Sequence, residues 1–376
     1  MDFSFTEEQT LLRNSVSKYL ADNYTFDAWR KFTRNDTGRD PKHWQQFAEL
    51  GLFAMTMPEE HGGLNGGPLE SMIIAEEFGR SLVVEPYVPT VVVGGGLLKH
   101  AGSDAQKTEW LGKIAAGETM MSFAFAEPQG RYNLADLKTT AKKQGDQYVL
   151  NGQKAVAIAA PWADTLIVTA RTAGSQRDEK GVSVFLIDKS AKGVSTRDYP
   201  IWDGARASEV TFENVEVPAE RLIGEADGGL PLVERAVDEA IAATCADATG
   251  AMKVLVDATV EYSKTRKQFG VPIGKFQVLQ HRMVDMFVNY EQAVSITLMV
   301  NLKLDESEIE RKKAASAAKA EIGKAGRFVG QGAVQIHGGM GMTDELNVGH
   351  YFKRLTMIDA LYGSTDHHLK RYASLS

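Results

Sequence analysis

The sequence predicts an α+β protein with a helical domain at each end and a β domain between them. Apolar residues recur at helical spacing up to about residue 118, alternate with a period of two from about 119 to 226, and return to helical spacing beyond. The chain has 376 residues, more than one hydrophobic core usually supports. The predicted domains are therefore residues 1–118, 119–226 and 227–376.

The N-terminal region opens with a helix-capping signal. Thr6 is followed three residues later by Gln9, and apolar residues of the next turns share one helix face. The segment Pro58–Gly63 interrupts the helical pattern, and Pro68 then opens a further helix. Residues 1–118 are thus predicted to be an α-helical domain.

The middle region carries strand and turn signals. Asn151-Gly152 follows the strand candidate Gln147–Leu150 and is typical of a two-residue hairpin turn. Further strand candidates, bounded by Gly, Asp, Asn or Pro, are Thr165–Ala170, Val182–Ile187 and Val210–Phe212. Together these strands predict a compact β-barrel or β-sandwich.

The C-terminal region consists of long helical patterns. The three predicted helices are Leu230–Phe269, Phe276–Leu304 and Ala314–Gln335. Gly270 directly follows the first helix, in the position of a helix C-cap. The charged cluster Asp305–Lys313 indicates an exposed turn between the second and third helices. Long antiparallel helices of this kind predict a bundle of the four-helix type.

Composition and charge exclude several partners. The net charge is −7, with a pI of about 5.7 and no Lys/Arg-rich stripe, so no nucleic acid partner is expected. The single cysteine, Cys245, excludes internal disulfides and fits a reducing compartment. No secretory signal and no apolar run long enough to cross a membrane is found, so we predict a cytoplasmic protein.

Several familiar catalytic motifs are missing from the sequence. It contains no phosphate-binding loop of the Gly-x-x-x-x-Gly-Lys-Ser/Thr type, no Gly-x-Ser-x-Gly elbow and no Cys/His pair at zinc spacing. His367 and His368 are adjacent, so on a helix their side chains point about 100° apart and make a poor metal pair. No metal site is therefore predicted.

Two segments near the C-terminus carry chemical information. Arg266–Gln277 combines an arginine with Gly and Pro, and Gln335–Gly341 ends a helix in a glycine-rich turn. Glycine permits close approach of a ligand to the backbone, and arginine binds phosphate bidentately. Together the two segments suit the phosphates and adenine of a dinucleotide.

These segments also carry a family resemblance. With Pro58–Gly63 and Asn151–Lys154, they stand in the order and separation found in the acyl-CoA dehydrogenase family, which the sequence resembles along essentially its whole length. The matching residues of the two C-terminal motifs are Arg266, Lys267, Gln268, Phe269, Gly270, Pro272, Ile273, Phe276, Gln277, Gln335, Gly338, Gly339 and Gly341.

The resemblance implies FAD as cofactor and an acyl-CoA as substrate. A proton leaves the carbon α to the thioester carbonyl, a hydride leaves the β carbon for the flavin, and the product is a trans-2-enoyl-CoA. It further implies a dimer within a tetramer, in which the ADP half of each FAD reaches a neighbouring subunit. Electrons then pass to an electron-transferring flavoprotein.

The resemblance assigns cofactor roles to named positions of this chain. Those matching the contacts to a neighbour's FAD are Arg266, Gln268 and Phe269 at the pyrophosphate and Gln335, Gly338 and Gly339 towards the adenine. Those matching contacts to the chain's own flavin ring include Ala126 and Ile158, where the family carries hydroxyl donors. Tyr132 likewise stands where the family has a hydroxyl donor, and Val156 where it has a tryptophan.

The position of the catalytic base also departs from the family. Tyr362 stands where the family has its usual glutamate, and a phenol with a pKa of about 10 is a poor base near neutral pH. Some members carry the glutamate on the long helix instead, at the position of Ala240 here. The preceding Glu239 is a candidate substitute, although a one-residue slip turns a side chain by about 100° on a helix. Asp366 is a weaker candidate.

The departures share a pattern. Residues that serve a neighbour's FAD are intact, while those that serve the chain's own flavin ring and proton abstraction are altered. The chain therefore resembles the small subunits of two-subunit acyl-CoA dehydrogenases, of the pimeloyl-CoA dehydrogenase type, in which a large paralogous subunit supplies the base. The alternatives are an autonomous dehydrogenase with Glu239 or Asp366 as base, a non-catalytic assembly subunit that binds FAD or acyl-CoA, and a flavin oxygenase on the same scaffold.

Overall fold

The computed structural model describes residues 4–375 and confirms the predicted α+β class. Helices α1 to α6 are Glu7–Asn23, Phe26–Thr33, Pro41–Glu49, Pro68–Arg80, Gly95–Ala101 and Asp104–Ala115. Strands β1 to β8 are Met121–Ala124, Thr140–Gln144, Gln147–Ile158, Thr165–Arg171, Val182–Asp188, Val194–Pro200, Arg206–Pro218 and Leu222–Ile223. Then follow α7 (Leu230–Thr265), β9 (Lys267–Gln268), β10 (Val271–Pro272), α8 (Gln277–Leu302), α9 (Glu308–His337), α10 (Val348–Ala360) and α11 (Thr365–Ser374).

The described chain forms two compact units. The first, which we call the helical unit, contains residues 4–31, 68–83 and 241–375. The second, the sheet unit, contains residues 32–67 and 84–240. The three-domain division at residues 118 and 226 stays a prediction. None of the helices in residues 4–375 combines the length and apolar character that a bilayer crossing requires.

Small residues allow close helix packing in the helical unit. A Cβ atom added at Gly79 of α4 would collide with the carbonyl oxygen of Asp247 on α7, and one at Gly250 would collide with that of Glu76. On α9, four short apolar side chains are buried: Ala314, Ala318, Ala325 and Val329. At the start of α1, Thr6 forms the expected capping box with Gln9. Glycine and alanine thus set the helix spacing that the long bundle helices need.

The sheet unit contains the predicted barrel or sandwich. Among the described residues, eight strands form one sheet in the order β6-β7-β3-β2-β4-β5-β8, with β1 beside β4. The two halves of this sheet meet through a single parallel pair, Thr140 on β2 and Arg171 on β4. Side chains from both halves nevertheless share one buried core, in which the rings of Tyr148 and Phe185 lie 5.0 Å apart. The sheet therefore encloses its own core.

The prediction of a hairpin turn at Asn151-Gly152 is wrong. Strand β3 runs straight through this dipeptide, and the turn between β2 and β3 falls at Gly145 instead. Gly152 lies at a register shift between β3 and β7, where a Cβ atom would collide with Thr139. The side chain of Asn151 accepts the backbone N–H of Asn214 on β7 at 2.9 Å. The same residues that favour a turn here build a β-bulge.

The exposed turn predicted at Asp305–Lys313 is too long. Helix α9 already begins at Glu308, so the second half of the charged cluster is helical. The hydroxyl of Ser307 accepts the backbone N–H of Glu310 and caps the helix at that point. An N-cap of this kind overrides the expectation drawn from charge alone.

Candidate functional site

A buried ion pair anchors the loop that follows β1. Lys154 Nζ on β3 lies 2.7 Å from Glu127 Oε1 and donates to the hydroxyl of Thr169 at 3.1 Å. The carboxylate of Glu127 also accepts the backbone N–H groups of Lys138 at 2.7 Å and Thr139 at 3.1 Å. Both side chains are almost fully buried, with exposures of 0% for Lys154 and 2% for Glu127. The pair joins three separate segments of the sheet unit.

The environment of this pair favours its ionised form. Burial alone would raise the pKa of Glu127, but the Lys154 ammonium and the hydrogen bonds to the carboxylate lower that pKa below its ordinary value. Burial lowers the pKa of Lys154 to about 8, against the attraction of Glu127. Both groups therefore remain charged at neutral pH, and neither can be lost without leaving the other charge buried and unpaired.

Of the positions matched to the chain's own flavin ring, Ala126 adjoins this pair in sequence and Ile158 lies four residues beyond Lys154 on β3. Ala126 directly precedes Glu127 and is half-buried, and its carbonyl accepts the N–H of Ala155 at 2.9 Å. Ile158, at the end of β3, is also half-buried, and its carbonyl accepts the hydroxyl of Ser122 at 2.7 Å. The backbone at both positions is thus fixed, although neither side chain carries a hydroxyl.

The backbone at Val156 has an uncommon conformation. Its φ is +51°, which a β-branched residue rarely adopts, and the residue lies at a second register shift between β3 and β7. The side chain is 46% exposed. The N–H of Val156 is hydrogen-bonded to the hydroxyl of Tyr199 on β6. Because such backbone strain persists only where surrounding contacts impose it, this segment keeps a specified shape despite its apolar side chain.

The arginine motif forms a hairpin rather than the end of a helix. Helix α7 ends at Thr265, not at Phe269 as predicted, and β9 then pairs with β10. Phe269 and Gly270 have φ values of +54° and +81°, the combination that a type I′ turn requires. Gly270 is therefore a hairpin residue instead of the predicted helix cap. Phe269, at the tip, is 91% exposed.

The six positions matched to a neighbour's FAD are all exposed on the helical unit: Arg266, Gln268, Phe269, Gln335, Gly338 and Gly339. The ring of Tyr262 near the end of α7 stacks on His337 at the end of α9, with centroids 4.3 Å apart, and so brings both motifs together. In residues 4–375, no atom lies within 4 Å of a Cβ built at Gly338 or Gly339. Open glycine backbone beside an exposed arginine fits dinucleotide phosphates and adenine.

Tyr362, at the position where the sequence resemblance implies the base, lies in the turn between α10 and α11. It is half-buried and has a φ of +57°. Burial raises the pKa of its phenol well above the ordinary value, so the phenol stays protonated at neutral pH. A protonated phenol cannot accept the α proton of a thioester, and Tyr362 is therefore unsuited to act as the base.

Two buried side chains hold this turn, and the sequence singled out neither of them for this role. Lys319 of α9 donates from Nζ to the carbonyl of Asp359 at 3.0 Å and to that of Gly363 at 2.6 Å. His368 of α11 donates from Nε2 to the carbonyl of Tyr362 at 3.0 Å. The sequence signal for a buried Lys319 is its place in a helix stretch otherwise rich in alanine and glycine. No comparable sequence signal marks His368.

The candidate substitute base, Glu239, lies in an ion cluster of the sheet unit. Its Oε1 is 2.8 Å from His100 Nε2 and 3.0 Å from Arg235 Nε. Burial alone would raise the pKa of Glu239, but these two partners lower that pKa below its ordinary value. A carboxylate stabilised in its charged form is a weaker base. The weaker candidate, Asp366, is exposed in the first turn of α11.

Neither a metal cluster nor a reactive thiol is found among the described residues. Within residues 4–375, no three His, Cys, Asp or Glu side chains are grouped so that they can hold a metal ion. Cys245 is buried on α7, and burial raises the pKa of its thiol to about 12. A thiol with such a pKa is not a nucleophile near neutral pH.

Comparison with family models identifies the chain. The N-terminal, middle and C-terminal domains of acyl-CoA dehydrogenase match residues 6–118, 122–215 and 227–374. The fold is that of a class of flavoprotein oxidoreductases. The chain belongs to the acyl-CoA dehydrogenase family, whose members bind FAD and act on CH–CH bonds.

Individual relatives extend over nearly the whole chain. The probable acyl-CoA dehydrogenase YngJ of Bacillus subtilis is 30% identical over 373 residues, which cover 97% of each chain. CarC, a subunit of the caffeyl-CoA reductase-Etf complex of Acetobacterium woodii, is 28% identical over 356 residues, 93% of each chain. The solved glutaryl-coenzyme A dehydrogenase in complex with glutaryl-CoA has a TM-score of 0.93 at 25% identity, over 99% of this chain and 96% of that one.

The substitution Glu127→Gln tests the buried pair. It leaves the Lys154 ammonium without a counter-charge, which should lower the free energy of unfolding by about 3–5 kcal/mol at neutral pH. Because the pKa of Glu127 is lowered in the folded state, its contribution is present above the ordinary glutamate pKa of about 4.3 and is lost as the pH falls through the folded-state value. The thermal midpoints of wild type and variant, followed by circular dichroism, should therefore converge in acid.

Glu213→Gln is the matched control, because Glu213 is an exposed glutamate on β7 of the same sheet. Its melting should follow that of the wild type at every pH. A Glu127→Gln variant as stable as the wild type at neutral pH, or a difference that stays constant into acid, would contradict this role for the pair.

Proposed function

We propose that this chain is the small subunit of a heteromeric FAD-dependent acyl-CoA dehydrogenase, which desaturates an acyl-CoA thioester between its α and β carbons. The observation that carries the proposal is a division within the chain. The positions matched to a neighbour's FAD keep their residues and are exposed, whereas the base position holds the protonated phenol of Tyr362. A larger paralogous subunit would supply the base.

The helical unit provides the contacts for a neighbouring subunit's FAD. The guanidinium of Arg266 would pair with the pyrophosphate, and Gln268 on β9 of the adjoining hairpin would add a further contact. Backbone at Gly338 and Gly339 lies open to the adenine side, next to Gln335. When bound, FAD accepts the hydride that leaves the β carbon of the substrate.

The chain's own flavin-facing positions are poorly suited to a complete active site. Ala126 and Ile158 supply no hydroxyl donor where the family has one. Tyr362 cannot take the α proton, and Glu239 is already engaged by His100 and Arg235. The residues present here therefore hold and orient a cofactor, while proton abstraction falls to the partner subunit.

An exposed apolar row on α8 supports association with other subunits. Val284, Phe287 and Val288 are 57%, 51% and 44% exposed, and two open grooves run along this helix. Large exposed apolar patches mark interaction surfaces. We assign this face to the dimer of dimers that the proposal requires.

CarC is named as a subunit of a complex with Etf, which supports an electron-transferring flavoprotein as the acceptor of this chain's electrons.

Reconstitution with a candidate large subunit tests the proposal. The purified chain alone should bind FAD substoichiometrically and turn over acyl-CoA poorly, because its own site lacks the base and two hydroxyl contacts. Both flavin absorbance per chain and acyl-CoA-dependent reduction of an electron acceptor should rise when the partner is added. One FAD per chain and full turnover by the chain alone would refute the subunit role and favour an autonomous enzyme.

Variants at the two candidate base positions give a separate test. In the assembled enzyme, Tyr362→Phe and Glu239→Gln should leave turnover unchanged, because neither residue takes the α proton. Removal of a true general base lowers the rate by about 10²- to 10⁴-fold. If Glu239→Gln loses activity on that scale while the flavin spectrum is intact, Glu239 is the base. If no acyl-CoA reduces bound flavin in any assembly, a non-catalytic role is favoured, and oxygen consumption by reduced flavin would indicate an oxygenase.

A further inference from the structure

The turn between α10 and α11 is held by side chains from outside the turn. Lys319 Nζ donates to the carbonyls of Asp359 and Gly363, on either side of Tyr362, and His368 Nε2 donates to the carbonyl of Tyr362 itself. Ser316, one turn before Lys319 on α9, lies 3.4 Å from His368 Nδ1. Three carbonyls within five residues are therefore fixed. We call Lys319 and His368 the carbonyl clamp.

The backbone within the clamp is in conformations that few residues adopt freely. Tyr362 has a φ of +57° and Gly363 a φ of +125°. A Cβ atom at Gly363 would collide with the ring of His368, so the clamp and the glycine fit each other closely. Conformations of this kind persist only when surrounding contacts determine them, and they concentrate at functional sites.

The side chain of Asp359 adds a second set of contacts to the same turn. Its Oδ1 accepts the hydroxyl of Thr365 at 2.9 Å, and its Oδ2 lies 2.9 Å from Arg327 Nη2. The two ends of the turn are thus tied to each other, and Asp359 is also tied to α9. Lys319 stands out among these groups because its side chain is fully buried, and a buried ammonium requires such partners.

We propose that Lys319 and His368 are positioning residues that fix the backbone at position 362 and so set where the side chain of that residue points. The sequence resemblance implies that 362 is the base position, and the inference rests on the proposed function for its catalytic meaning. The clamp keeps this position in a defined orientation although the side chain is a tyrosine. The hydrogen bonds of the clamp reach only backbone carbonyls, so they do not depend on which side chain stands at position 362.

A single fluorine probe tests the clamp on the full-length chain. A trifluoromethylphenylalanine in place of Tyr362 gives one ¹⁹F resonance that reports the surroundings of this side chain alone. Lys319→Met and His368→Leu, introduced separately, should each move that resonance by more than its linewidth. His368→Gln removes the ring as His368→Leu does but keeps an N–H donor at similar reach, so it should move the resonance less than His368→Leu. Lys324→Met, which removes an exposed lysine of the same helix, should also leave it unmoved.

Circular dichroism and thermal melting separate a local change from unfolding. A moved resonance in variants with native melting supports the clamp. An unmoved resonance in folded Lys319→Met and His368→Leu overturns it, as does a His368→Gln shift equal to that of His368→Leu. If Lys319→Met fails to fold, His368→Leu decides, and if both fail, the clamp is a folding element and the positioning role is rejected.

This experiment is independent of the proposed function. It needs neither FAD nor a partner subunit, so failure of the reconstitution leaves the fluorine result intact. Conversely, an unmoved resonance would remove the clamp without affecting flavin content or turnover in the assembled enzyme.

Discussion

A buried lysine ammonium needs partners inside the protein, and this requirement shapes one segment in each of the two units. An unpaired buried charge costs several kcal/mol, so the chain must bring acceptors to it. In the sheet unit, Lys154 pairs with the carboxylate of Glu127 and thereby fixes the loop that follows β1. In the helical unit, Lys319 donates hydrogen bonds to two backbone carbonyls and fixes the turn around Tyr362. Each unit thus has one segment that a buried lysine holds in place.

The predicted flavin and base positions differ from the residues that the family resemblance implies. Ala126 and Ile158 stand where hydroxyl donors are expected beside the flavin, and Tyr362, whose phenol has a pKa raised by burial, stands where the base is expected. The exposed arginine hairpin and the open glycine turn match the positions expected at a neighbour's FAD. We propose that this combination reflects a division of labour between two subunits.

Much of the fold follows from local signals, and the exceptions depend on contacts distant in sequence. The capping box at Thr6 and the small-residue face of α9 need only neighbours along one helix, and both are found. Asn151-Gly152 has the composition of a turn, but pairing with Asn214, 63 residues away, makes it a bulge. The functional motifs were recognised from sequence, whereas the role of Lys319 was not, because its acceptors are carbonyls some 40 residues further along the chain.

In the proposed enzyme this chain holds the FAD of a neighbouring subunit, and one substitution in the arginine hairpin tests that contact. Arg266→Gln, placed in this chain only and assembled with a wild-type large subunit, removes the guanidinium expected at the pyrophosphate. A hydrogen bond to a charged group contributes about 1.5–3 kcal/mol, so FAD affinity should fall at least tenfold. Arg282→Gln, an exposed arginine of α8, should leave it unchanged. Unchanged FAD retention in the Arg266→Gln assembly would mean that this chain does not hold the neighbour's FAD through Arg266.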